Sequence, residues 1–188
     1  MRDNARKFSD GFPMSDKNTV KGEKKMGKGA YGTFGCGSCG PCGIDASTKD
    51  VLGQVSVGCQ MAEDSMNQIM EHVDDSGMLK LINRCKMRHE ELQADANDLL
   101  RKAGETPPEP SVAGNVFSWL SAEVKMAMND DTDTHEAAKL LMDGCNMGIQ
   151  SISEYVNDNP GASSTSKELA SQLIASEEEL MRELKVYL

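Results

Sequence analysis

Residues 52–103 read LGQVSVGCQMAEDSMNQIMEHV, then DDSG, then MLKLINRCKMRHEELQADANDLLRKA. In the first block Leu52, Val55, Cys59, Ala62, Met66, Ile69 and Val73 recur at alternating intervals of three and four residues. That spacing is the seam of an amphipathic helix laid nearly parallel to its neighbours. In the last block Met78, Ile82, Cys85, His89, Leu92, Ala96, Leu99 and Ala103 keep the same rule. Two long helices separated by so short a turn are predicted to run antiparallel.

Reading outward, Ser47-x-x-Asp50 resembles an N-terminal capping pair and predicts where the first helix starts. Gly104-Glu-Thr-Pro-Pro-Glu-Pro110 ends the second, because proline cannot continue a helix and pushes the residue before it toward extended geometry. A third helix is expected from about Asn115 to Met128, with a pause at Asn129-Asp-Asp-Thr132 and a restart at Asp133-x-x-Glu136. Its second part should bury Ala138, Leu141, Cys145, Ile149, Ile152 and Val156. Asn157-Asp-Asn-Pro-Gly161 closes it, and Thr165-x-x-Glu168 opens a fourth helix with Leu169, Leu173, Leu180 and Leu184 inward. The expected fold is all-α, an antiparallel four-helix bundle over residues 47–188, and no segment requires a sheet. Residues 1–46 carry no hydrophobic period and hold a glycine cluster from Gly27 to Gly43, the pattern of a flexible or ligand-folded Cys/Gly-rich tail.

Composition agrees with one core plus a tail. The chain has 188 residues, and single cores usually take about 100–200. Thirteen Met and only 4% aromatics suit a helical interior better than an aromatic-rich sandwich. The net charge of −10 is unevenly spread: residues 1–47 hold eight Lys or Arg against five Asp or Glu, and 48–188 hold twelve against twenty-five. An acidic body excludes a nucleic-acid surface there, since phosphate neutralisation needs clustered Lys and Arg. No apolar run approaches the ~18 residues of a membrane span, and Met1 to Pro13 lacks the apolar centre of a secretory signal. A soluble cytoplasmic protein with no membrane partner is the expectation, and its six Cys then read as thiols or metal ligands rather than a disulfide framework.

Trp119-x5-Lys125, the break after it, and Asp143-Gly-Cys-Asn-Met-Gly-Ile-Gln-Ser-Ile-Ser-Glu-Tyr155 carry a resemblance. Over about residues 47–188 the chain resembles an uncharacterised bacterial family of ferritin-like four-helix bundles. The likeness implies a di-iron site, with one carboxylate on each of two helices and Glu-x-x-His on each of the other two. Here Lys86 stands three residues before His89, and Met181 three residues after Glu178, so that shell is incomplete even with Glu63 and Asp143 facing inward. An oxygen-activating di-iron enzyme is not expected.

Two constellations remain. Cys36-Gly-Ser-Cys39-Gly-Pro-Cys42 places three thiols at two-residue intervals among glycines, within reach of one soft ion. The spacing opens like an iron–sulfur run but lacks the fourth Cys followed by Pro, so a fourth ligand has to come from Cys59, His72 or another chain. The second constellation is Cys59, Cys85 and His89 on adjacent seams, sulfur with imidazole, which suits Cu(I) or Zn(II). Ordinary packing explains the same residues, because free Cys and Met fill helical cores and a seam His is commonly held by one hydrogen bond. Cys145 reads as core, and Glu177-Glu-Glu179 as a solvated face with one member inward. No Gly-x-Ser-x-Gly or phosphate-binding loop is present. The leading expectation is therefore a non-enzymatic bundle that binds Zn, Cu(I) or an iron–sulfur cluster through Cys36, Cys39 and Cys42, with homo-oligomerisation open. Two alternatives stand beside it: a structural or stress-related interaction module whose tail docks, cross-links or is modified, and a thiol redox protein using the same three cysteines.

Overall fold

The computed structural model describes residues 43–109 and 134–188, all inside one compact unit spanning 39–188. These residues form four long helices and no strand: α1 (Ala46–Met70), α2 (Ser76–Lys102), α3 (Thr134–Asp158) and α4 (Ser164–Leu184), followed by a 3₁₀ turn at Lys185–Tyr187. The helix expected over 115–128, with Trp119 and Lys125, lies outside the described residues, as do Cys36, Cys39 and Cys42. No described helix is long and apolar enough to cross a membrane.

The helix starts differ from the capping pairs expected from sequence. Asp45, not Ser47, caps α1: its carboxylate accepts from the Thr48 N–H at 2.9 Å and from the Thr48 hydroxyl at 2.7 Å. Asp75 caps α2 by accepting from the Met78 N–H at 2.7 Å. Ser163, two residues before Thr165, caps α4 through the Ser166 N–H. The reason is a tertiary tie that local spacing does not contain, for the Ser163 N–H donates to the Thr48 hydroxyl at 2.8 Å and fixes the boundary beside the start of α1. Each such cap is worth about 1 kcal/mol. At the other end of α2, Gly104 adopts φ 80°, and the Glu105 N–H reaches back to the Leu100 carbonyl at 2.9 Å. That left-handed position closes the helix before the prolines are reached.

Hydrogen bonds between helices set their directions. Ser56 with Asn97 (2.7 Å) and Gln60 with Gln93 (2.9 Å) step oppositely along α1 and α2, which are therefore antiparallel. Arg84 with Glu183 and His89 with Glu177 do the same for α2 and α4. α1 and α4 begin together at the Thr48–Ser163 tie and run parallel. α3 precedes α4 across a short turn and returns alongside it, with Gln54 and Ser151 joining α1 to α3 at 3.0 Å. Thus α1 and α4 point one way and α2 and α3 the other.

The buried apolar residues divide into two clusters. One gathers Val51, Leu52, Val55, Leu92, Ala96, Leu100, Leu169 and Leu173; the other gathers Met66, Ile69, Val73, Met78, Ile82, Leu141, Leu180 and Leu184. The expected seams supply nearly all of them. Leu100 rather than Leu99 is fully buried at the end of α2. A helix of 3.6 residues per turn drifts from a 3.5-residue seam, and after six turns the drift moves burial by one position. Ala62, Ala103, Ile149 and Val156 are half-buried for the same reason of position at the seam's margin.

Candidate functional site

Between the two apolar clusters every helix crosses one common level, and the residues there are Glu63 on α1, His89 on α2, Gly148 on α3 and Glu177 on α4. His89 is 0% exposed, Glu177 6% and Glu63 8%. Cys59, Cys85 and Cys145, all free and buried, border the same level.

His89 is the hub. Its Nδ1–H donates to the Cys85 carbonyl at 2.9 Å, and its Nε2 lies 3.0 Å from Glu177 Oε1. A neutral imidazole has a single N–H. An imidazolium donates to the Cys85 carbonyl and to Glu177 together. Burial opposes a charged ring, but the hydrogen bonds to Cys85 and Glu177, with the charge of Glu177, outweigh it and raise His89 to about 10. Gly148 of α3 faces this carboxylate, and a Cβ there would sit 3.4 Å from Glu177 Oε1, an ordinary contact.

The thiols differ in surroundings. Burial, followed by the charges of Glu63 and Glu177, pushes the Cys59 thiol far above its ordinary range. Burial and the Glu177 carboxylate do the same to Cys145. Both are protonated packing groups at any ordinary pH. Cys85 stands apart, with its Sγ 3.6 Å from His89 Nδ1 and 3.9 Å from Ser176 Oγ. It also lines a groove between α2 and α4.

Glu63 carries the layer's unsatisfied atom. Its Oε1 is buried without a hydrogen-bond partner. Burial and then the neighbouring Glu90 charge raise its carboxyl, against the pull of His89 and Lys86.

Of the residues singled out from sequence, Cys85 and His89 touch, and Cys59 joins their region from α1. His72 does not, since it lies past the end of α1, thirteen residues from Cys59 or about 20 Å along the axis. Among the described residues no group of three or more His, Cys, Asp and Glu is arranged to hold a metal ion. Asp143, for which an inward position was entertained, is exposed. The inward member of the Glu177–Glu179 run is Glu177, and three residues beyond it stands Leu180. Sequence reasoning left Glu177 unassigned, although the seven-residue gap between Leu173 and Leu180 in an otherwise regular seam was the signal that could have found it.

No family model matches the chain, and no curated protein matches it. Among solved structures, the crystal structure of a DUF305 fragment from Deinococcus radiodurans is similar, with a TM-score of 0.61 and 14% identity. The match covers 76% of this chain and 95% of that one. At this identity the likeness shows a shared helical fold and nothing of function.

Proposed function

We propose that the protein is a ferritin-like helical bundle that binds a soft metal ion or cluster without catalysing a reaction, and that Cys36, Cys39 and Cys42 are the thiolate ligands. The order of helix directions, with α2 and α3 running one way and α1 and α4 the other, supports the ferritin-like reading. The observation that carries the binding reading is the state of the core thiols. Cys59 and Cys145 are held protonated by burial beside carboxylates, and metal ligation requires deprotonated sulfur. Both nitrogens of His89 are already engaged. We assign soft-metal chemistry to the three cysteines spaced along residues 36–42, whose glycines allow one ion to be surrounded.

Cys59 is fully buried, so recruiting it as the fourth ligand would open the core. His72, half-buried at the α1–α2 turn, or a cysteine from a second copy of the chain is the candidate for the remaining position. The test is metal content and the visible spectrum of full-length protein purified anaerobically. Stoichiometric Zn, Cu or Fe is expected, lost on each single Ser replacement of Cys36, Cys39 or Cys42 and retained in Cys145→Ser. Metal that persists in the triple replacement, or a wild-type chain that takes up none when reconstituted, overturns the reading.

A further inference from the structure

We propose that Cys85 is a modification site, a thiol oxidised to the sulfenic acid by hydrogen peroxide or another small uncharged hydroperoxide that reaches it through the α2–α4 groove. Side chains of α2 and α4 converge there. The sulfur lies against the ring of His89, Sγ to Nδ1 3.6 Å, and that ring is in turn held by Glu177 at 3.0 Å. A nucleophile, a proton carrier and a carboxylate that orients the carrier thus stand in sequence, the arrangement that activates thiols generally. The groove, about 410 Å³, is walled by Arg84, Arg88, Gln172, Ser176, Glu179 and Glu183 with Cys85 among its lining, so the sulfur has a path to solvent. Cys59, at 0% exposed, is closed off.

The groove also indicates the class of reactant. Its two arginines face two glutamates, and they are already engaged: Arg84 binds Glu183 through a pair of 2.6 Å contacts, and Arg88 spans to Gln172 at 2.6 Å. No cation is left over to attract an anion, which favours a neutral reactant small enough to pass between the side chains. In the reaction the sulfur attacks one peroxide oxygen, an S–O bond forms and the O–O bond breaks. Sulfur is oxidised and the departing oxygen reduced. The thiol proton is released to solvent in the groove as the sulfur attacks, the leaving hydroxide takes the Nδ1 proton of His89 and departs as water, and His89 regains a proton from that solvent. The thiol and one hydrogen peroxide thus give a sulfenic acid and one water, an organic hydroperoxide giving its alcohol instead. The Ser176 hydroxyl, 3.9 Å from the sulfur, is placed to hydrogen-bond the product.

The experiment exposes full-length protein to hydrogen peroxide with dimedone present and quantifies each labelled cysteine peptide separately by mass spectrometry. Cys85 is expected to label at least about tenfold faster than Cys59 or Cys145, and His89→Gln to lower its rate about tenfold in protein whose circular dichroism is unchanged. Ser176→Leu, which fills the groove above the sulfur, is expected to protect Cys85. Lys102→Ala, exposed at the far end of α2 and outside the groove, is expected to leave its rate within about twofold. Labelling of Cys85 no faster than that of Cys145 overturns the proposal, as does an unchanged rate in folded His89→Gln. Should His89→Gln fail to fold, the wild-type ratio among the three cysteines together with the Ser176→Leu result decides. Labels on Cys36, Cys39 and Cys42 are read on their own peptide and bear only on the metal reading.

Discussion

The apolar clusters at the two ends of the bundle and the charged layer between them are built on opposite logics. In the cluster around Leu52, Leu92 and Leu173 each side chain contributes by its own burial, and removing one leaves the others satisfied. In the layer each group is tolerable only because of another: His89 holds its proton because Glu177 is beside it, and Glu177 is buried because His89 and Cys145 are against it. The lesson is that the clusters supply stability, whereas the layer makes stability depend on proton count and partner identity.

The sharpest way to break this contrast is Glu177→Ala. It strands the buried imidazolium and is expected to cost about 4 kcal/mol in urea denaturation, whereas the double change His89→Leu with Glu177→Leu should cost much less than the two single changes together. Near-additive singles and double would mean that the pair is not coupled. Leu92→Ala, in the apolar cluster, is expected to cost about 3 kcal/mol, and that loss should be the same at every pH because no titrating group is involved.

The layer, by contrast, should show itself in pH. His89 is raised in the folded chain, to about 10, from an ordinary 6.5. A group raised in this way binds its proton more tightly when folded, so its stabilisation is complete below about pH 6.5 and is lost as pH rises toward 10. Unfolding free energy should therefore fall by about 2 kcal/mol between roughly pH 7 and pH 9. His89→Leu combined with Glu177→Leu should remove that slope. A stability that stays flat over this interval would show that His89 is neutral in the fold.

The same contrast governs what could be read from sequence. The apolar clusters were legible because Leu, Ile, Val and Met recur at helical spacing and nothing else explains the recurrence. His89 was legible as a seam residue for that reason. Glu177 was not, because a glutamate within a run of three glutamates looks like a solvated face, and only its partner on α2 reveals its burial. Gly148 was invisible altogether, since its place beside Glu177 is set by how α3 and α4 pack and not by local spacing. The cap positions were missed on the same ground: Ser163 is chosen by Thr48, more than a hundred residues away in the chain.

The smallest expected effect tests the layer's weak point. Glu63 buries a carboxyl oxygen that finds no partner, and the carboxyl is raised from its ordinary 4.5, chiefly by that burial. A raised acid is stabilising while protonated, below about pH 4.5, and that contribution is lost as pH climbs through its folded value. At neutral pH Glu63 thus costs desolvation whether it keeps its proton without an acceptor or loses it without a donor. Methionine has a similar length and no polar atom that needs a partner. Glu63→Met is expected to stabilise the fold by about 1 kcal/mol at neutral pH and to flatten the part of the stability profile just above pH 4.5. Paired denaturation curves at acid and neutral pH measure both effects. A loss of stability instead would mean that the carboxylate has a partner in solution, and the layer would then be satisfied on α1 as fully as it is between α2 and α4.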